Sequence, residues 1–167
     1  WALGDSRIDE QTAAFEAEIH SRGGTAVWLS LDGSPAGLFE LSDRIRETAV
    51  ATLETLRRHG IETVLVTGDS EPAARAVASA TGIAIVEANV PPGGKAEVVK
   101  SFQARGRVTG FVGDGINDAP ALACADAGIA MSSGADVALE ASDITLAGGE
   151  LKGVWRAVAL ARATMSV

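Results

Sequence analysis

GDGINDAPAL, at residues 113–122, is the stretch that decides how this chain folds and what it does. It follows the short β-type segment Gly110-Phe111-Val112 and places Asp114, Asn117 and Asp118 at a glycine-rich turn that leads into a helix. Ligands of open α/β sheets bind beyond the carboxyl ends of the strands. Carboxylate oxygens are suitable ligands for Mg²⁺, which keeps several waters and takes one or two carboxylates. The stretch therefore predicts a divalent-cation site beside a phosphate.

Two earlier clusters supply what such a site still needs. Thr67-Gly68-Asp69 follows the apolar segment 64–66, and Lys95 opens a helix after Gly93-Gly94. A hydroxyl and free N–H groups at a glycine turn can cradle a phosphate, and an ammonium can neutralise a phosphoryl oxygen. Taken alone, each cluster has an ordinary alternative: a strand-to-helix turn, a solvated lysine or, for Asp118, a helix cap. Together with residues 113–122, they favour a phosphoryl site.

The pattern along the chain predicts an α/β fold. Residues 1–41 indicate a strand, a helix capped by Ser6 or Asp9 that runs through Ile19, and a hairpin that turns at Asp32-Gly33. From residue 42, short apolar strands alternate with helices, which predicts a doubly wound parallel sheet covered on both faces. The predicted strands are 61–66, 84–86, 108–112, 128–131 and 144–146. The predicted helices cover 45–59, 71–81, 95–105, 118–124, 135–140 and 151 onward.

Composition narrows the function classes. The 167 residues carry a net charge of −8, which argues against a nucleic-acid-binding surface. The single cysteine, Cys124, excludes an intramolecular disulfide and a cysteine-rich zinc site. No apolar run reaches the length of a membrane span, and no signal peptide is visible. Because the chain begins with Trp1 within a β-type run, we interpret it as a fragment of a larger protein.

With these motifs in view, the chain resembles the phosphorylation domain of a P-type ATPase, within the haloacid dehalogenase superfamily, over essentially its whole length. The stretch 113–122 is similar to that family's hinge motif, residues 67–69 to its TGD motif, and PGGK at 92–95 to its lysine motif. The finer likeness is to the heavy-metal-transporting (type IB) subgroup. It rests on VTGDS at 66–70, GIAM at 128–131, DVALEA at 136–141 and ALARAT at 159–164.

The resemblance implies a Rossmann-like sheet of the haloacid dehalogenase type with a small α+β segment at the N-terminus. It divides the chain into the tail of a nucleotide-binding domain (1–31), a phosphorylation domain (32–150) and the start of a stalk helix leading to the membrane (151–167). It also implies that the whole protein is an integral membrane pump with this part on the cytoplasmic side. Such pumps hydrolyse ATP through an aspartyl-phosphate to move Cu⁺, Zn²⁺ or Cd²⁺, which binds elsewhere in the protein. The implied partners are ATP, phosphate and the protein's own nucleotide-binding, actuator and membrane domains.

The phosphoryl roles come from the same resemblance. Thr67 and Lys95 would hold the phosphoryl group, and Gly68 would contribute its backbone N–H. Asp69 would lie on the nucleotide side of the cleft. Gly4-Asp5 stands where the family has a Gly-Asn pair near the adenine nucleotide, and here an anion replaces a neutral donor.

The metal roles fall on the stretch 113–122. Asp114 would be the main Mg²⁺ ligand, with Asn117 and Asp118 completing the shell. Asp69, Asp114 and Asp118 would converge with only Lys95 to balance them. Two like charges at 4 Å repel by about 1 kcal/mol in water and about 4 kcal/mol at an effective dielectric constant near 20. We therefore expect weak Mg²⁺ binding by this chain alone.

One family feature is missing. The nucleophilic aspartate of the family lies in a DKTGT motif, which this sequence lacks, and the turn Asp32-Gly33-Ser34 cannot replace it. We expect the isolated chain to be inactive and its sheet to show a gap or open strand edges that invite association. Two alternatives remain: a soluble phosphatase of the same superfamily, and a nucleophile-free binding or regulatory module. Pro120-Ala121-Leu122 and the long helix from Leu151 favour the pump over the phosphatase.

Overall fold

The computed structural model describes residues 10–21, 24–41, 45–113, 116–131, 140–148 and 150–165. The helices in these ranges are α1 (Glu10–Ser21), α2 (Glu47–Arg58), α3 (Glu71–Thr81), α4 (Lys95–Gln103), α5 (Ala119–Cys124) and α6 (Lys152–Met165), and a 3₁₀ turn covers Ile116–Asp118. The strands are β1 (Thr25–Leu31), β2 (Ser34–Leu41), β3 (Val64–Val66), β4 (Ile85–Glu87), β5 (Gly110–Gly113), β6 (Ala127–Met131) and β7 (Ile144–Leu146). The predicted helix 135–140 falls almost entirely outside the described residues.

The N-terminal part is a helix packed on a hairpin. β1 and β2 pair antiparallel, and Ile19 of α1 is fully buried. Trp28 of β1 donates its indole N–H to Glu16 of α1 at 3.1 Å. The predicted boundary between the nucleotide-binding tail and the phosphorylation domain, at residue 31, falls at the turn of this hairpin. The position of this boundary stays a prediction.

The rest of the chain forms parallel sheets. β3 pairs with β4, and β5, β6 and β7 form a second sheet in that order. Successive residues of a strand point to opposite faces, and both faces of the second sheet are covered. One face packs on α4 and α5 through Ala96, Val99, Phe111, Ala121, Leu122 and Ala130. The other packs on α2 and α6 through Leu56, Ile129, Leu146 and Val154. The predicted sheet with helices on both faces is confirmed.

Three helices end in the same way. As a result, two strands begin later than predicted. Gly60, Gly82 and Gly106 follow α2, α3 and α4 with φ of 77°, 74° and 76°. The N–H of the next residue then donates to the carbonyl five positions earlier, as in a Schellman motif; for Ile61 the acceptor is Leu56, at 3.0 Å. Ile61 therefore belongs to a helix cap, and β3 begins at Val64 rather than at 61 as predicted.

The same motif shortens the next predicted strand. Arg107 donates to Phe102 at 3.2 Å, and Val108 is 90 % exposed, so β5 begins at Gly110 rather than at 108. No helix in the described ranges combines the length and the apolar character that crossing a membrane requires.

The parallel strands divide into two groups. Among the described strands, no ladder joins β3 to β5, and all three residues of β3 are only half-buried. An exposed ion pair between Arg107 and Glu62, 3.8 Å apart, links the segments that lead into these two strands. Among the described strands, β3 and β5 therefore each lack a partner on one side. The gap expected from the missing DKTGT strand stays a prediction.

Candidate functional site

A cleft of about 470 Å³ lies where the loops after β3, β4 and β5 meet. It is lined by Gly68, Asn89, Val90, Pro91, Pro92, Gly93, Lys95 and Asn117. Gly68 follows β3, the segment from Asn89 to Lys95 follows β4, and Asn117 follows β5. The three clusters that the sequence places at strand ends thus open into one cleft.

An ion pair holds Lys95 at this cleft. Lys95, the first residue of α4, places Nζ 2.7 Å from Oδ1 of Asp118, which immediately precedes α5. The two side chains are only 25 % and 8 % exposed. A charge-assisted hydrogen bond is stronger than a neutral one, and salt screens a partly buried pair less than an exposed pair. Lys95 is therefore paired and largely buried, and is not a solvated surface lysine.

Asp118 does not act as a helix cap. Its carboxylate makes no capping hydrogen bond to α5. It lies instead against the end of β5, because a Cβ added at Gly113 would come 2.7 Å from Asp118 Oδ2. The glycine before Asp114 thus leaves room for the carboxylate that pairs with Lys95.

The Thr67-Gly68-Asp69 loop closes on itself. The Thr67 hydroxyl donates to Asp69 Oδ2 at 2.8 Å, and the Asp69 N–H donates back to Thr67 Oγ1 at 3.1 Å. The hydroxyl must therefore turn from Asp69 to donate to a ligand. A Cβ at Gly68 would come 3.3 Å from the Val90 carbonyl oxygen, so the loop packs closely on the segment after β4.

The described residues of the predicted metal site have suitable chemistry. The Asp118 carboxylate and the Asn117 amide are hard oxygen donors of the kind that Mg²⁺ prefers. Within the described residues, no three His, Cys, Asp or Glu side chains converge as a ready-made metal cluster. Asp114, the predicted main ligand, lies outside the described residues, as do Gly4 and Asp5, so their predicted roles stay predictions.

Sequence reasoning missed Asn89. It lines the cleft and has a left-handed backbone, with φ of 53°. The available signal was an asparagine just before the loop VPPGG at 90–94, because asparagine tolerates positive φ better than other non-glycine residues.

Comparison with known proteins identifies the family. The family model for haloacid dehalogenase-like hydrolases matches residues 3–126. The chain belongs to the haloacid dehalogenase-like hydrolase family. Its cleft at the carboxyl ends of parallel strands is therefore the cleft of a haloacid dehalogenase-like domain.

Relatives of this haloacid dehalogenase-like domain are heavy-metal pumps. It is 44 % identical over 164 residues to a copper-transporting P-type ATPase of Rhizobium leguminosarum bv. viciae, covering 98 % of this chain and 20 % of that protein. It is 47 % identical over 161 residues to a probable copper-transporting ATPase, PacS, of Synechococcus elongatus, covering 96 % of this chain and 21 % of that protein. The chain thus spans about a fifth of the length of these relatives.

A solved structure supports the same relationship. The crystal structure of a zinc-transporting PIB-type ATPase in its E2.Pi state matches with a TM-score of 0.84 and 36 % identity, covering 98 % of this chain and 26 % of that one. The resemblance to heavy-metal P-type ATPases drawn from the motifs is confirmed. The alternative of a soluble phosphatase is not favoured.

Proposed function

We propose that this chain is the phosphoryl-transfer part of a heavy-metal-transporting P-type ATPase, held on the cytoplasmic side of a membrane. The whole protein would hydrolyse ATP to move an ion such as Cu⁺, Zn²⁺ or Cd²⁺. The named relatives and the matched structure are named as copper- or zinc-transporting ATPases, and each aligns with nearly the full length of this chain. The ion would bind in membrane segments that the chain does not include.

The observation that carries this proposal is the largely desolvated pair of Lys95 and Asp118 at the cleft. Phosphoryl transfer needs little covalent chemistry from a protein beyond the nucleophile; it needs positioning and neutralisation of charge on the phosphoryl oxygens. Asp118 holds the Lys95 ammonium in place beside the carboxyl ends of the strands. The lysine is therefore preorganised to act on a phosphoryl group in the cleft.

The other groups complete a phosphoryl site. Thr67 would donate its hydroxyl to a phosphoryl oxygen after releasing Asp69, and Gly68 would offer its N–H from the wall of the cleft. Asp69 accepts a hydrogen bond from the Thr67 hydroxyl, which keeps that side chain in place. On the nucleotide side, Asp69 and the Gly4-Asp5 pair would face the ATP.

Asp114, Asn117 and Asp118 would hold Mg²⁺. When bound, the cation would neutralise negative charge on the phosphoryl group. Lys95 already balances one of the carboxylates, which lowers the attraction for a cation. We therefore keep the expectation of weak Mg²⁺ binding by the chain alone, and a submicromolar affinity would contradict it.

The nucleophile would come from another segment of the pump. β3 and β5 each lack a described partner on one side, and residues that follow both strands line the cleft. A parallel strand inserted there would end beside Thr67 and Lys95, where an aspartate could accept the phosphoryl group. The remaining partners would be the nucleotide-binding, actuator and membrane domains of the same protein.

Phosphorylation of the full-length protein tests the proposal. With Mg²⁺ and ATP labelled at the γ-phosphate, the wild type should form an acid-stable, hydroxylamine-sensitive phosphoprotein. Asp114→Asn should abolish the label, because it removes the main proposed Mg²⁺ ligand. Asp126→Asn is the matched control and should keep the label, since Asp126 bonds to Thr109 at the opposite end of β5. Unchanged labelling of Asp114→Asn would refute the metal assignment.

A further inference from the structure

We propose that Asn89 is a positioning residue whose left-handed backbone holds the Thr67-Gly68-Asp69 loop in register with Lys95. The inference rests on the proposed function for the meaning of the cleft, and adds to it a residue that the motifs do not include. Its essential part is the backbone conformation at position 89, not the amide side chain.

The conformation at Asn89 is unusual within this chain. Of the described residues other than glycine, only Asp32 and Asn89 have positive φ, at 49° and 53°. Asp32 lies in the turn of the β1–β2 hairpin, where positive φ is the rule. Asn89 lies two residues after β4, at the wall of the cleft and outside any hairpin. Its conformation is therefore not that of a hairpin turn, although asparagine is a residue type that tolerates it.

The left-handed residue redirects two consecutive N–H groups. Asn89 donates to the Asp69 carbonyl at 2.9 Å, and Val90 donates to the Thr67 carbonyl at 3.0 Å. In an extended strand, consecutive N–H groups point to opposite sides and cannot both reach one neighbouring loop. The chain must turn at Asn89 for both bonds to form, so its conformation ties down both ends of the Thr67-Gly68-Asp69 loop.

The segment after Asn89 is rigid, and it connects the backbone at Asn89 to Lys95 at the start of α4. Pro91 and Pro92 have fixed φ, and Gly94 donates to the Pro91 carbonyl at 2.8 Å just before α4 begins. Gly68 packs closely against Val90, because an added Cβ would come 3.3 Å from the Val90 carbonyl oxygen. A change of φ at Asn89 would therefore displace Thr67 relative to Lys95, the two groups that would hold the phosphoryl group.

Three variants of the full-length protein separate backbone from side chain. Asn89→Ala disfavours the left-handed conformation, and Asn89→Gly permits it while removing the amide. Asp32→Ala is the matched control, because it places the same strain in the hairpin, far along the chain from the cleft. The readouts are the phosphorylation rate at saturating ATP, the KM for ATP, and amide hydrogen exchange of a peptide that contains residues 67–69.

We expect Asn89→Ala to lower the phosphorylation rate about tenfold, the factor that corresponds to the left-handed penalty of an alanine. The KM for ATP should change less than about twofold, because a misplaced phosphoryl site affects transfer more than ground-state binding. Hydrogen exchange at residues 67–69 should rise by a similar factor of about ten. Asn89→Gly should restore both readouts, and Asp32→Ala should move neither.

Two results would overturn the inference. If Asn89→Gly is as impaired as Asn89→Ala, the side chain matters and the backbone does not. If Asn89→Ala matches the wild type in rate and in exchange, the conformation does not position the loop. A wild type that forms no phosphoprotein would refute the proposed function instead, and hydrogen exchange would still decide the role of Asn89.

Discussion

Among single residues, Lys95 and Asp118 do most to define the site. Each alone has an ordinary reading, as a surface lysine or a helix cap. The structure excludes both readings, because the pair is largely desolvated and Asp118 does not cap α5. A buried charge that loses its partner is costly. The pair therefore links local stability to the chemistry proposed for the cleft.

These residues were predictable from sequence because phosphoryl chemistry demands their types: a hydroxyl, an ammonium and carboxylates after short strands. Asn89 was not predictable in the same way. Its importance comes from a backbone angle and from hydrogen bonds to a loop about twenty residues earlier. The bond between Thr67 and Asp69 was also missed, since the motif names both residues without saying that they contact each other.

A second carboxylate, Asp126, stabilises the opposite end of the sheet and provides a test by pH. The Thr109 backbone N–H, then the Gln103 amide and the Thr109 hydroxyl, donate to Asp126 and hold the pKa of its carboxyl below the ordinary value of 3.8. Because the folded pKa is lowered, its stabilising contribution is complete above pH 3.8 and is lost as the pH falls through the folded value.

We therefore predict that Asp126→Asn lowers the free energy of unfolding at pH 7, and that its difference from the wild type shrinks below about pH 4. Urea unfolding at several pH values between 7 and 3 measures this. A difference that stays constant over the whole range would contradict the assignment.

At the scale of helices and strands, the predicted bounds are confirmed for α3 and β7 and are wrong at the starts of β3 and β5. The bounds of α3 match the prediction at both ends, because Gly82 terminates a clearly amphipathic segment. β3 and β5 begin later than predicted, because the residues after Gly60 and Gly106 satisfy helix carbonyls before the strands start. Apolar character alone does not separate such a cap residue from a strand residue.

Close packing between α5 and β6 gives a second prediction. A Cβ at Gly128 would clash with the Leu122 carbonyl oxygen, which is backbone and cannot rotate away. Gly128→Ala should therefore lower the free energy of unfolding by about 3 kcal/mol, at the upper end of overpacking effects. Urea unfolding at neutral pH measures it.

Gly110→Ala is the matched control for this prediction. Gly110 pairs with Ala127 in the same sheet, and the nearest atom to an added Cβ there is 3.8 Å away, an ordinary contact. Its effect should be below about 1 kcal/mol. Equal losses in the two variants would show that the α5–β6 contact is not the cause.

For the whole molecule, the main feature is that the described parallel strands form two separate groups. The sequence lacks the DKTGT strand, and the described strands separate into β3–β4 and β5–β6–β7. The presence of two covered faces followed from the alternation of helices and strands. How the two sheets are placed around one cleft did not, because it depends on contacts between residues distant in the chain, such as Lys95 with Asp118.

Hydrogen exchange in the isolated chain should report this separation. β6 is paired on both sides, whereas β3 and β5 each have one described neighbour, so part of their N–H groups face an open edge. We predict that the slowest amides of β6 exchange at least about tenfold more slowly than those of β3. We also expect the chain to associate as its concentration rises, measured by sedimentation. A monomer with equal protection in β3 and β6 would contradict the separation.

The most direct test of the account is the role of Lys95 in phosphorylation. In the full-length protein, Lys95→Met should lower the rate of phosphoprotein formation from ATP by at least about a hundredfold, the usual effect of removing a preorganised charge from a transferring group. Lys100→Met lies on the same helix and removes an exposed pair with Glu97, so it should stay near the wild-type rate. Phosphorylation of Lys95→Met at the wild-type rate would contradict the claim that this cleft holds the phosphoryl group.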